Sequence, residues 1–233
     1  MSRLPPNAAR SPQAVAKLLR DLGPQLRRGG DATPPDARIR TGIEAIDRLL
    51  GGGFPGGRLS EIAGPFSCGR TSLAHALLAE ATRSGAVAAV VDVADAFDPV
   101  SAEGSGVDLS RVLWVRAPQL RAALRSVEQL LAVRGFALVL LDLARADLRV
   151  VPTTGLRLAR LTAGTGTPLV ALSLQRCLGT AAEIAIELKS TRANFGGSPV
   201  LLENLEVEVA LVRHRSAPSG HTTSVRLHPT RAA

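Results

Sequence analysis

The 233-residue sequence has no tyrosine, one tryptophan, one methionine and two cysteines, and aromatics make up only 3% of it. So few aromatics exclude rows of rings of the kind that grip single-stranded nucleic acid by stacking. Two cysteines, Cys68 and Cys177, do not build a disulfide framework. No apolar run is long enough to span a bilayer, and no charged-then-apolar signal segment opens the chain. These absences set the expectation of a cytoplasmic protein. Acidic residues are also short, 20 against 28 Lys and Arg, for a net charge of +8. That balance attracts polyanions, so DNA is a candidate partner that charge alone does not establish. Hydrophobic residues make up 45%, enough for the core of one α/β domain with short tails.

Residues 1–39 read as a separate arm punctuated by proline and glycine. Within it, Ser11 and Pro12 form a helix start, and Val15, Leu18, Leu19 and Leu22 fall on one face. Such a face packs either on its own domain or on a neighbouring molecule, and the linker "RRGGDATPPD" permits both. A domain is expected over 40–228, followed by a basic tail at 229–233. At its start Thr41 and Glu44 are spaced as a capping box for a helix ended by the glycines from Gly51. Strands are expected at "RLSEIAG", "AVAAVVD", "RVLWVRA", "FALVLLDL" and "PLVALSL", alternating with helices. Their apolar runs are continuous, which predicts a mainly parallel sheet flanked by helices. Beyond Leu174, "EIAIELK", "LEVEVALVRHR" and "TTSVRLH" predict an antiparallel C-terminal extension.

The segment "AGPFSCGRTS" has the spacing of a phosphate-binding loop, G-x-x-x-x-G-K-[ST], between a strand and a helix. Gly64 and Gly69 hold the glycine positions, and Thr71 and Ser72 follow; Arg70 replaces the lysine. Loop amides and a helix N-terminus bind anions, Thr71 suits a magnesium ion, and Asp142 ends a strand where a second metal-side carboxylate belongs. Arginine keeps the charge but is bulkier and planar. Three readings stay open on this loop alone: a working nucleotide site, a site that binds without hydrolysis, or a strand-to-helix connection that only keeps the shape.

The run from "IRTGIEAIDRLLGGGFPGGRLSEIAGPFSCGRTSL" through "AVAAVVDVADAFDPVSAEGSGVDLSRVLWVRA" and "FALVLLDL" to "EVALVRHRSAPSG" resembles the RecA superfamily from about Ile39 to Leu227. The resemblance implies a RecA-like core, ATP or ADP with Mg at the loop, and Asp98 beside the base. It places Ala94 where the family has the glutamate that orients the attacking water, and a methyl group cannot do that. It places Arg213 and Arg215 where the family reaches a neighbour's nucleotide, though both also suit a solvated strand edge. Gln175 lies within one residue of a γ-phosphate sensor, but a surface glutamine is the simpler reading. Both DNA-binding loops are short and the family's C-terminal domain is missing.

Those departures make the chain most similar to the ImuA family. That resemblance implies a non-catalytic regulator of DNA-damage-induced translesion mutagenesis, with RecA and the polymerase-like ImuB as partners and no required cofactor. The alternatives are a RecA-type DNA-dependent ATPase and a basic DNA-binding protein without nucleotide chemistry. His214, His221 and His228 read as surface histidines rather than a metal site, and Cys68 as a small loop filler.

Overall fold

The computed structural model describes residues 37–133, 135–145 and 150–228. Val15, Leu18, Leu19 and Leu22 lie outside the described residues, as do the rest of the arm before residue 37 and the tail from 229.

An eight-stranded sheet runs in the order β10-β9-β8-β3-β7-β6-β4-β5. Its central members are β3 (Leu59–Ala63), β4 (Val87–Asp92), β6 (Phe136–Asp142) and β7 (Leu169–Ser173), with β5 (Val112–Arg116) at one edge. The C-terminal strands are β8 (Ile184–Gly196), β9 (Leu201–His214) and β10 (Thr222–Leu227). A second, two-stranded sheet pairs β1 (Arg38–Ile39) with β2 (Phe54–Pro55).

The mainly parallel sheet with an antiparallel extension is as expected, with one correction. β8 pairs parallel with β3, from Ser60↔Ile184 to Ala63↔Glu187, so the antiparallel part starts only at β9. β8 and β9 are also longer than their apolar runs. Beyond the Ala193↔Leu205 pair their outer ends form a two-stranded ribbon through Gly196↔Leu201.

Continuous apolar strands arise because both faces are covered. Along β4, Val87, Ala89 and Val91 enter one core while Ala88 and Val90 enter the other. The helices α1 (Glu44–Leu49), α2 (Arg70–Arg83) and α3 (Pro99–Gly104) cover one face. On the other face lie α4 (Leu120–Val133) and α5 (Pro152–Thr165), which bury Val127, Leu130, Leu131 and Leu158.

The expected capping box does not form. Ile43, in extended conformation, is the N-cap of α1, so Thr41 stands two residues too early. No side chain caps α1; buried Asp47, inside the helix, instead ties down the segment before it, its Oδ1 accepting from the Thr41 amide at 2.7 Å and hydroxyl at 2.8 Å. Glu44 turns outward to Arg48.

Candidate functional site

The loop begins where β3 ends. β3 is buried along its whole length and sits between β7 and β8, so the loop's origin is fixed on both sides. The Gly64 amide donates to the Ser173 carbonyl at 3.1 Å, tying the loop to the end of β7. A Cβ on Gly64 would lie 2.6 Å from both Cys68 Sγ and the Leu188 carbonyl oxygen. Gly69 has φ +88°, and a Cβ there would meet Leu227 Cδ1 at 2.4 Å. Both glycines are therefore required by this chain's own packing. Cys68 is buried beneath the loop, as its small-filler reading implies, while Phe66 at the tip is 68% exposed.

Arg70 opens α2 and is buried. Its guanidinium turns back under the loop, where Nη1 donates to the Gly64 carbonyl and, at 3.2 Å, to that of Pro65. The loop's own backbone thus satisfies the cation that would otherwise face a phosphate. Thr71 is exposed and Ser72 half-buried in the first turn of the same helix.

Asp92 and Asp142 end adjacent strands in register. Asp142 accepts from the Ala144 amide at 2.8 Å. Burial pushes its carboxyl above the ordinary range and the charge of Asp92 adds to this, while the Ala144 amide and the Arg70 charge oppose it. Asp92 is consumed structurally, accepting from the Ala96 and Phe97 amides and from Trp114 Nε1 at 3.2, 2.9 and 3.3 Å. It thereby shapes the turn that carries Ala94, which is half-buried and offers no carboxylate.

The neighbouring acid does not substitute. Asp95, at φ +56°, faces outward into a two-pronged contact with Arg116 at 2.6 and 2.5 Å. Those hydrogen bonds hold its carboxyl below the usual range, and Arg116 lies over the Trp114 ring at 5.1 Å. Asp98 is the N-cap of α3, accepting from the Ser101 amide at 3.0 Å and hydroxyl at 2.5 Å. It faces buried His75, whose pKa burial lowers and the Asp98 charge raises. His75 meets Phe97 edge-on at 5.9 Å, and Phe97 packs on Trp114 at 5.4 Å.

Two tethers hold the connection between β7 and β8. Glu61, fully buried in β3, accepts at Oε1 from the Ser173 hydroxyl at 3.1 Å and the Cys177 amide at 2.7 Å. Its Oε2 is buried without a partner among the described residues. Arg213 donates to the carbonyls of Ala182 at 2.7 Å and Thr180 at 3.2 Å. Arg213 is half-buried, whereas Arg215 is exposed, as is Gln175. The histidines spread over the β9–β10 region do not converge, and no metal-ligating cluster occurs among the described residues. Sequence reasoning missed Glu61 and the Asp95–Arg116 pair. An acid inside the apolar run "LSEIA" was the available signal for the first.

Of the ATP and magnesium that the loop pattern implies, the phosphates meet a poor fit, whereas Thr71 and Asp142 are the residues that would hold the metal. Arg70 is engaged by loop carbonyls, and no carboxylate stands at position 94 to direct water.

A loop of this shape between the central strand of a parallel sheet and its following helix, with aspartates ending β6 and β4 on one side of it, defines a P-loop α/β domain. Comparisons with known proteins narrow that class. The model of the RecA N-terminal domain family matches residues 20–157, more than half of the chain. The chain belongs to that family. It is 37% identical over 150 residues to Protein RecA of a Prochlorococcus marinus strain, covering 60% of this chain and 40% of that protein. It is 41% identical over 122 residues to Protein RecA of Chlorobaculum parvum, covering 52% and 35%. The chain thus spans about two fifths of the length of the curated relatives it matches. In fold it is similar to the RadB recombinase crystal structure, with a TM-score of 0.63 at 22% identity over 80% of this chain and 94% of that one. Among the described residues no helix is long and apolar enough to cross a membrane.

Proposed function

We propose that this RecA-family domain acts without nucleotide hydrolysis, as a regulator of the ImuA type in DNA-damage-induced translesion mutagenesis. Its partners in this reading are RecA and the polymerase-like ImuB. One observation carries the loss of catalysis: the Arg70 guanidinium is bound to the loop's own carbonyls. Two further features support it. Ala94 offers no base, and Asp95 is drawn away by Arg116. A phosphate entering the loop must compete with Arg70's internal contacts, so nucleotide, if held at all, serves as a ligand rather than a substrate.

The test is ATP turnover by the full chain with and without single-stranded DNA, alongside sedimentation with RecA filaments and capture by ImuB. Turnover stays at background, and the chain co-sediments with RecA or is retained by ImuB. Turnover at RecA's own rate refutes the non-catalytic reading, and absence of both associations refutes the partner reading. The ATPase alternative retains Gly64, Gly69, Thr71 and Asp142 in its favour; under it, the parent turns over ATP and neither Arg70→Lys nor Ala94→Glu alters that activity, because the native residues are not the limitation.

A further inference from the structure

On the sheet face opposite α2, the helices α4 and α5 leave a groove of about 530 Å³ between them. Its floor is apolar: Leu158 is buried, and Leu120 and Leu124 are half-buried along the α4 side. Its walls are arginine. Arg121 and Arg125 lie one turn apart on α4, and Arg157 stands on α5. Arg157 is already matched, donating to Glu128 at 2.8 Å and tying the two helices together. Arg121 and Arg125 are exposed and have no ion-pair or hydrogen-bond partner among the described residues.

We propose that this groove docks an acidic amphipathic segment of another protein, its leucine-type side chains on the floor and its carboxylates against Arg121 and Arg125. Charge complementarity selects the occupant. The unmatched charges are two fork-shaped guanidiniums at i and i+4, suited to carboxylates spaced along a helix or turn. The apolar floor calls for side chains to bury, the usual plan of a helix-in-groove contact. A nucleic acid fits less well, because the leucine floor offers nothing to a phosphate backbone and no aromatic ring lines the groove for a base to stack on; Glu128, already paired with Arg157, does not distinguish the two. The inference goes beyond the reading of the loop and does not depend on it, since ATP turnover would leave the groove unchanged.

The full chain is titrated by fluorescence anisotropy with a labelled synthetic peptide carrying leucines at i, i+3, i+4 and i+7 between glutamates. Comparison probes are the same residues scrambled, a version with lysine for glutamate, and a single-stranded oligodeoxynucleotide. The ordered acidic peptide saturates. Its affinity falls at least about tenfold in the double variant Arg121→Glu/Arg125→Glu, whereas the lysine version binds that variant better than the parent. Both side chains are exposed, and an unchanged circular dichroism spectrum checks that the variant is folded. The proposal is overturned if the ordered peptide does not bind, or if the scrambled peptide binds as well, which would leave only unspecific charge. It is also overturned if the oligonucleotide displaces the peptide and depends on the same two arginines, which would make the face a nucleic-acid surface.

Discussion

Glu61 is a carboxylate inside an otherwise apolar strand, and its neighbours record the consequence. Burial first, and the Glu61 charge second, push the Cys177 thiol up to about 12. The thiolate is the nucleophile, so alkylation of Cys177 should be slow near neutrality and still climbing at a pH where an ordinary thiol has levelled off. Glu61→Gln removes the charge while keeping an acceptor oxygen, and should accelerate alkylation at any given pH below that value. Mass spectrometry after timed iodoacetamide treatment across a pH series reads both effects; equal rates in parent and variant would dissociate Glu61 from the thiol. Asp142 offers a second residue-scale test. Its carboxyl is raised in the folded chain, so the protonated form favours the fold and that advantage is lost as pH rises through the raised value. Asp142→Asn keeps an acceptor for the Ala144 amide and removes the charge. Its melting temperature should exceed the parent's at neutral pH by about 2–4 °C for each kcal/mol recovered, with the gap closing toward acid.

The phosphate loop behaves as an element because its glycines, Arg70 and the C-terminal strands fix one another. Gly69→Ala forces a left-handed residue, at roughly 1–2 kcal/mol, and drives a methyl into Leu227. Trimming Leu227 to alanine relieves the second part, so the two substitutions should couple: Gly69→Ala costs less in a Leu227→Ala background than alone. A urea-denaturation double-mutant cycle measures the difference, and strict additivity would refute the contact. The central strands were legible because burial on both faces leaves a continuous apolar run. The outer ribbon was not, because "STRANFGG" has neither that run nor a clean alternation, and cross-strand pairing rather than burial sustains it. Thr41 misled for a related reason: the spacing to Glu44 was right, but the N-cap fell two residues later. The loop and Asp142 were readable from spacing. The turn of Arg70 onto Gly64 was not, since it depends on where the backbone of a folded loop presents its carbonyls. Replacing residues 194–204 by Asn-Gly closes the hairpin at the Ala193↔Leu205 pair. It removes exposed Phe195, Val200 and Leu201, so stability should change by less than about 1 kcal/mol, read from the urea midpoint.

At the scale of the whole molecule, the two cores are not independent bodies. Each of the strands β3 to β7 contributes residues to both, so losing one face removes the support of the other. Polar links reinforce this across the sheet: Asp92 in β4 binds Trp114 of edge strand β5, and Glu61 in β3 binds the connection that follows β7. A chain of this length can populate intermediates when parts of it pack separately. Here the shared strands argue for one transition. Trp114 is the sole tryptophan, placed at the sheet edge farthest from β10, so it reports the part most able to come away first. Its fluorescence and the far-ultraviolet circular dichroism should therefore trace the same urea curve with the same midpoint. An earlier fluorescence transition would mean that β5 detaches while the loop-bearing centre persists. The Asp95–Arg116 contact would then belong to a separable edge, because Arg116 lies on β5. Coincident curves place the loop, the Ala94 turn and the α4–α5 groove on one cooperative scaffold.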